Sequence, residues 1–143
     1  MTVREILATK GNDVVTIRPS STLADAARAL AQHRIGAVVA TGPGDRIVGI
    51  LSERDIVRVI GEQGPEGLEG PVSEAMSTNV KLCNENHTIN EVMSMMTRGR
   101  FRHLPVERDG RLIGIVSIGD VVKRRIEDVE REAEEIRKYI ATA

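Results

Sequence analysis

A seven-residue segment that occurs twice constrains the fold of this chain more than any other feature. Residues 49–55 read Gly-Ile-Leu-Ser-Glu-Arg-Asp, and residues 114–120 read Gly-Ile-Val-Ser-Ile-Gly-Asp. Glycine, serine and aspartate therefore recur at a single offset of 65 residues, which indicates a duplicated structural unit. In each copy an apolar run leads into Ser-x-x-Asp, which predicts a strand that passes directly into a helix.

The sequence around the two copies repeats in the same order. Thr22 and Thr88 each begin a capping-box pattern that is followed by apolar residues at helical spacing. Short apolar runs between turn residues predict strands, at residues 14–17, 37–40, 47–51, 80–83, 101–106 and 112–116. Each half is thus predicted to be β-α-β-β-α, and the fold class to be α/β (α+β). We expect the halves to bury their open faces on each other about a pseudo-two-fold axis.

The predicted boundaries follow this repeat along the chain. The first repeat is placed at residues 1–62 and the second at residues 71–125. A glycine-rich linker at residues 63–70 separates them, and an extended C-terminal helix occupies residues 126–143. The segments that open the two repeats are also alike, and each predicts a short helical turn. The helix after the first copy is predicted to bury Ile56, Val57 and Ile60.

The C-terminal helix is predicted to carry a narrow apolar seam. The apolar residues follow the 4-3-4-3-4 spacing of a heptad pattern, at Val122, Ile126, Val129, Ala133, Ile136 and Ile140. Two interpretations are open: the seam packs on its own domain, or it meets another subunit. We favour another subunit, because the seam is longer than the surface that one repeat can offer.

Composition and charge argue against several functions. The 143 residues carry a formal net charge of −1, with one Phe, one Tyr and no Trp. The chain has no net positive charge that would attract nucleic acid, and it has too few aromatic residues to form a platform for base stacking. Nucleic-acid binding is therefore not expected. No apolar run approaches the ~20 residues that a membrane span needs, so no membrane partner is expected.

Residue types that bind metals or catalyse reactions are present without the required spacing. His33, His87 and His103 are not spaced as metal ligands, and Cys83 has no second cysteine. The arrangement of serines, histidines and acidic residues does not suggest a catalytic triad. We therefore predict no metal and no enzymatic activity. The single cysteine and the lack of a charged-then-apolar leader predict a cytoplasmic protein.

The duplicated pattern resembles a tandem pair of CBS domains, also called a Bateman module. The resemblance is carried by residues 48–55, residues 113–120 and the Arg-His-Leu-Pro-Val run at residues 102–106, and it extends from residue 2 to about residue 125. It implies regulation by an adenine nucleotide (AMP, ADP, ATP, NAD or S-adenosylmethionine) bound in two clefts between the repeats. It also implies a homodimer of two pairs and a regulated partner protein, which the sequence does not identify.

The resemblance implies which residues hold the nucleotide. Asp55 and Asp120 correspond to the acid that binds the ribose hydroxyls, and Ser52 and Ser117 to the hydroxyl that faces phosphate. From the spacing alone, Ser-x-x-Asp before a helix is also an ordinary capping box. The two roles are compatible, because a helix N-terminus presents free N–H groups to a phosphate.

Basic residues near these corners are further candidates. Arg54 follows Ser52 and Glu53; the arginine is placed to reach a phosphate, whereas Glu53 would repel it. We predict that a phosphate in the cleft shared with Asp120 is neutralised by a basic residue of the second half, from among Arg100, Arg102 and His103, with Lys81 as a weaker candidate. The alternative is that these residues lie on a solvated strand edge. If one cleft binds more tightly, we expect it to be the cleft around Asp120.

The purine is expected against the first strand of each half. Backbone groups of Thr16 and Ile17 in one half, and of Val80 and Lys81 in the other, are predicted to read its edge. An apolar wall is expected from Val38, Ile50 or Ile115.

The sequence thus predicts a regulatory CBS pair that senses adenine nucleotides and signals to a partner. The alternative is a ligand-free dimerisation or interaction module, in which the charged terminal helix is the working surface.

Overall fold

The computed structural model, which describes residues 1–142, has a three-stranded sheet in its first half. The first repeat comprises, in chain order, α1 (Val3–Lys10), β1 (Thr16–Ile17), α2 (Leu23–His33), β2 (Ala37–Thr41), β3 (Ile47–Ser52) and α3 (Glu53–Gln63). The central strand β2 pairs in parallel with β1 and antiparallel with β3. Ala143, the last residue of the predicted terminal helix, lies outside the described residues.

The second half repeats this order with a two-stranded sheet. It comprises α4 (Val72–Ala75), α5 (Ile89–Gly99), β4 (His103–Arg108), β5 (Arg111–Ser117) and α6 (Ile118–Thr142). The antiparallel pair β4–β5 matches β2–β3. Two short 3-10 helices lie in connections, at Pro43–Asp45 and Pro65–Glu69. The mixed α+β class and the duplicated hairpins are therefore as predicted.

The strand predicted at residues 80–83 is reduced to one parallel bridge between Cys83 and Val106. The Cys83 N–H donates to Pro105 O at 3.0 Å, and the Glu107 N–H donates to Cys83 O at 2.9 Å. The next bond of a parallel ladder would need an N–H at Pro105, and proline has none. In the first repeat Val39 stands at the equivalent place and keeps its N–H, and there β1 forms.

Each repeat completes its core with the opening helix of the other repeat. The core around β4 and β5 includes Val3, Ile6 and Leu7 of α1, although α1 belongs to the first repeat in the chain. The core around β2 and β3 likewise includes Val72 and Ala75 of α4. The predicted boundaries therefore describe the order of the repeats along the chain, but each hydrophobic core contains residues from both repeats.

The glycines of the repeated motif allow these helices to approach the sheets. A Cβ on Gly114 would lie 2.7 Å from Leu7 Cδ2, and a Cβ on Gly49 would lie 2.5 Å from Met76 Sδ. Both separations are shorter than van der Waals contact, so the opening helices pack where a side chain is missing. The glycine of each copy is thus explained by packing between the repeats.

The predicted capping boxes of α2 and α5 are confirmed. Thr22 Oγ1 accepts a hydrogen bond from the Asp25 N–H at 3.1 Å, and Asp25 Oδ2 accepts one from the Thr22 N–H at 3.3 Å. Thr88 and Glu91 make the same reciprocal pair at 3.0 and 3.1 Å. These bonds satisfy N–H groups that the first helical turn leaves free.

The predicted buried face of α3 is wrong in part. Ile56 and Val59 are buried, whereas Val57 is 68% exposed and Ile60 is 39% exposed. The predicted linker folds back as a 3-10 helix and places Gly67 against Val59, so that a Cβ on Gly67 would lie 2.7 Å from Val59 Cγ1. The fold-back therefore selects a different face of α3 from the one that the apolar spacing indicated.

The terminal helix α6 has 25 residues and is about 37 Å long. Its first turns pack on the body through the buried Val121 and through Arg124, whose Nη2 donates to Glu5 Oε2 at 2.8 Å. The predicted seam is largely exposed on the described chain. Of the helices within residues 1–142, none combines the length and the apolar character that a membrane crossing requires.

Candidate functional site

A cleft of about 280 Å³ opens between the repeats beside the N-terminus of α3. The predicted site residues that line it come from both repeats: Ser52, Arg54 and Asp55 from the first, and Val80, Lys81, Arg100, Arg102 and His103 from the second. Ile50 supplies part of the predicted apolar wall. We call this the Asp55 cleft.

The Asp55 carboxylate is held by the start of α3. Its Oδ2 accepts hydrogen bonds from Ser52 N at 2.9 Å and Ser52 Oγ at 3.1 Å, and its Oδ1 accepts one from Arg58 Nη1 at 3.0 Å. The motif is therefore a capping box, as its spacing allowed. Oδ1 retains acceptor capacity, because a carboxylate oxygen can accept two hydrogen bonds. The capping role leaves a polar group available at the cleft.

Cationic side chains outnumber acidic ones in this cleft. The cations are Arg54, Lys81, Arg100 and Arg102, and the acids are Glu53 and Asp55. Arg100 ends α5 in a left-handed conformation with φ 56°, which turns the chain towards β4. The excess of positive charge, together with the positive end of the α3 helix dipole, favours an anionic ligand.

Arg100, Arg102 and His103 of the second half line the cleft of Asp55, which corrects the predicted grouping with Asp120. Of the three, His103 is also close enough to Asp120 for that charge to affect its pKa. The Arg102 carbonyl does lie at the Asp120 corner, where it accepts a hydrogen bond from Ile118 N at 2.8 Å. The side chains at this end of β4 instead face the first repeat. His103 Cε1 lies 3.1 Å from the place that a Cβ on Gly36 would occupy. The Asp55 cleft therefore combines the N-terminus of α3, from the first repeat, with the first residues of β4, from the second repeat.

The Asp120 corner is occupied by a lysine from α1. Lys10 Nζ donates to Asp120 Oδ2 at 2.7 Å and to Ile115 O at 2.9 Å. Asp120 Oδ2 also accepts from Ser117 N at 2.8 Å, and the Asp120 N–H donates to Ser117 Oγ at 3.1 Å. Burial raises the pKa of Asp120, but the hydrogen bonds from Lys10 and Ser117 outweigh it, so the pKa lies below its ordinary value of 3.8.

His103 lies between the two corners and is partly buried. Burial lowers its pKa, and the charge of Lys10 lowers it further, while Glu53 and Asp120 act in the opposite direction. The net pKa lies below the ordinary value of 6.5. His103 is therefore held mainly neutral near pH 7, as a hydrogen-bonding group and not as a fixed cation.

Thr16 and Ile17 are not among the described residues that line the Asp55 cleft. Ile17 packs against the first repeat's core, and β1 uses its backbone to pair with β2. The offset of 66 residues between Thr22 and Thr88 aligns Val14 and Val15, and not Thr16 and Ile17, with Val80 and Lys81. The purine-edge prediction for Thr16 and Ile17 therefore stays a prediction, at positions two residues after the equivalents of Val80 and Lys81.

Two residues that sequence reasoning missed are Lys10 and Asn79. Asn79 lines the Asp55 cleft, and Lys10 binds Asp120 at the other corner. The likeness of residues 2–7 to residues 71–76 places Lys10 and Asn79 at equivalent positions, each eight residues after the start of its segment. This alignment was the signal that could have found both.

Metal-binding and thiol chemistry find no support in the described region. Residues 1–142 contain no group of three or more His, Cys, Asp or Glu side chains that could hold a metal ion. Cys83 is buried, and this burial, with the charge of Glu107, raises its pKa to about 12. Its thiol is therefore protonated and inert at neutral pH.

Comparison with known proteins identifies the repeated unit. The sequence model of the CBS domain matches residues 3–62 and residues 72–127. The chain is 32% identical over 147 residues to the mitochondrial CBS domain-containing protein CBSX3 of Arabidopsis thaliana, covering 97% of this chain and 71% of the relative.

Solved structures agree with this match. The CBS-domain containing protein ATU1752 from Agrobacterium tumefaciens superposes with a TM-score of 0.83 at 49% identity, covering 87% of this chain and 92% of that protein. The CBS domain protein PAE2072 from Pyrobaculum aerophilum, solved in complex with AMP, superposes with a TM-score of 0.75 at 27% identity, covering 84% and 89%. The two matched segments and the interlocked α+β repeats show that the chain belongs to the CBS domain family and forms a CBS pair.

Proposed function

We propose that this CBS pair is a non-enzymatic regulatory sensor that binds an adenine nucleotide in the Asp55 cleft. The observation that carries the proposal is the joining of a helix N-terminus, an aspartate and an excess of cations in one cleft between the repeats. The N-terminus and the cations suit phosphate, and the Asp55 carboxylate suits a ribose diol.

The size of the cleft and a structural relative both favour AMP as the first ligand to test. A volume of about 280 Å³ is near the lower end for small-molecule pockets, which suits a mononucleotide better than a dinucleotide. PAE2072 was solved with AMP. The Asp120 carboxylate, in contrast, already accepts a hydrogen bond from Lys10. We expect one nucleotide per chain, bound at Asp55, which replaces the sequence-based preference for Asp120.

The proposed mechanism is linkage between ligand binding and domain arrangement. A nucleotide that contacts both repeats favours the arrangement in which those contacts form, and a partner protein that reads the arrangement responds to the nucleotide. We propose that the sensor acts as a homodimer and that its partner is a regulated protein.

The test is titration calorimetry with AMP, ADP, ATP and NAD on wild type, Asp55→Ala and Asp120→Ala. Asp25→Ala is the matched control, because Asp25 also closes a capping box and pairs with an arginine three residues later, outside the cleft. We expect Asp55→Ala to abolish binding and the other two variants to bind like wild type. A folded wild type that binds none of these ligands at millimolar concentration would overturn the proposal.

The ligand-free interaction module remains the second candidate. The exposed seam of α6 favours it, because a long apolar stripe on a charged helix is a surface for another chain. The same titration separates the two candidates, since the module predicts no heat of binding for any of the four nucleotides.

A further inference from the structure

The outer part of α6 carries apolar residues that the described chain does not cover. Ile126 is 53% exposed, Ile136 is 59% exposed and Ile140 is 67% exposed. The packed side of the helix is different: Val121 and Asp128 are buried there, and Arg124 binds Glu5. The exposed stripe is therefore a separate face of α6 that points away from its own body.

The stripe has the periodicity of a two-stranded coiled coil. With Ile126 at position a, the remaining seam residues fall at a and d. The a positions are Ile126, Ala133 and Ile140, and the d positions are Val122, Val129 and Ile136. The flanking e positions are Lys123, Glu130 and Arg137, and the flanking g positions are Arg125, Glu132 and Tyr139.

These flanking charges distinguish a parallel pairing from an antiparallel one. In a parallel, in-register pair, each g residue faces the e residue five positions later on the other helix. Arg125 then faces Glu130 of the second copy, and Glu132 faces Arg137 of the second copy, so both contacts are attractive and each occurs twice by symmetry.

The antiparallel pairing that buries the whole seam brings like charges together. Such a pairing sets Ile126 opposite Ile136 and places e beside e and g beside g. Glu130 then meets Glu130 of the second copy, Glu132 meets Glu132, and Lys123 meets Arg137. These like-charge contacts are unfavourable, so charge complementarity selects the parallel alignment.

We propose that two copies of this chain associate through their α6 helices as a parallel, in-register coiled coil. The proposal deepens the homodimer of the proposed function and does not depend on nucleotide binding. It places the two C-termini side by side and puts both CBS bodies at the same end of the coil. A change in the arrangement of one body is then adjacent to the body of its twin.

Disulfide trapping in the full chain tests the alignment. The native Cys83 is buried with a pKa of about 12, so an introduced surface cysteine is the reactive thiol. In the parallel coil, Ile136→Cys faces itself, whereas the antiparallel coil separates the two copies by ~15 Å along the axis. Lys138→Cys, at an outward f position, is the matched control. We expect mild oxidation to link Ile136→Cys and not Lys138→Cys.

Two results would contradict the parallel coil. One is no link in Ile136→Cys at a concentration where sedimentation shows a dimer. The other is a link that forms only when Ile126→Cys and Ile136→Cys are mixed, which is the antiparallel contact. A monomer at every concentration would overturn both the coil and the homodimer, whereas a linked dimer that binds no nucleotide would overturn the sensor alone.

Charge reversal gives a second test that needs no cysteine. Arg137→Glu places two acidic pairs at the interface, and we expect it to weaken dimerisation about tenfold by sedimentation equilibrium. Adding Glu132→Lys restores opposite charges, and we expect the double variant to recover most of the affinity. Equal dimerisation of wild type and Arg137→Glu would exclude this contact.

Discussion

Lys10 Nζ lies 2.7 Å from Asp120 Oδ2, although the two residues are separated by 110 positions in the chain. The contact exists because α1 leaves its own repeat and packs in the core of the second one, which brings its last residue to the start of α6. Asp120, which the family resemblance assigned to binding a nucleotide, is thus already paired with a lysine of the same chain.

Removing this lysine should weaken folding modestly. The side chains of Lys10 and Asp120 are 34% and 26% exposed, so we expect Lys10→Met to lower the free energy of unfolding by about 0.5–1 kcal/mol. A double-mutant cycle with Asp120→Asn in urea measures the coupling. Arg28→Met, which breaks the more exposed pair with Asp25, is the control and should have a smaller effect.

The same pair should respond to acid. The folded-state pKa of Asp120 is below its ordinary 3.8, so its stabilising contribution is present above that value and is lost as the pH falls through the folded pKa. We expect the stability difference between wild type and Asp120→Asn to be constant from pH 7 to pH 5 and to shrink below about pH 4. A difference that persists unchanged to pH 2 would contradict this assignment.

His103 should produce a pH dependence in a different window. Its folded-state pKa is below 6.5, so the unfolded chain binds the proton first as the pH falls. Stability is therefore full above about pH 6.5 and declines below it until the folded pKa is reached. Urea unfolding between pH 8 and pH 5 should show a steeper decline for wild type than for His103→Gln. Parallel curves for the two proteins would show that His103 does not contribute.

The glycine of the second motif copy should tolerate alanine less well than that of the first. A Cβ on Gly114 meets Leu7, which is buried, whereas a Cβ on Gly49 meets Met76, which is half-buried and flexible. We expect Gly114→Ala to destabilise by about 1–3 kcal/mol and Gly49→Ala by less. Thermal unfolding compares them, and equal losses would indicate that both sites relax to the same extent.

Because each opening helix packs in the core of the other repeat, a substitution in α1 should destabilise the second repeat. Leu7 belongs to the core of β4 and β5, so we expect Leu7→Ala to reduce stability by roughly 2–5 kcal/mol. Hydrogen exchange should accelerate first in β4 and β5 and not in β2 and β3. Thr9→Ala on the exposed side of α1 is the control, with an expected change of no more than about 0.5 kcal/mol.

Local patterns were predicted well because their causes are local. The Thr22 and Thr88 capping boxes and the α6 helix depend on residues within a few positions of one another, which the sequence displays directly. The strand at residues 80–83 failed because its ladder depends on Pro105, a residue more than twenty positions away. The buried face of α3 was misassigned because the fold-back of Gly67 selects it.

The sequence by itself determined that the chain is a duplicated CBS pair, since Gly, Ser and Asp recur at one offset in strand-to-helix junctions. Only the tertiary structure decided which corners share a cleft. It joined Asp55 to the basic residues of the other repeat and gave Asp120 to Lys10. The physical reason is that each core is closed by a helix from the other half, so the groups that face one another across a cleft are distant in the chain.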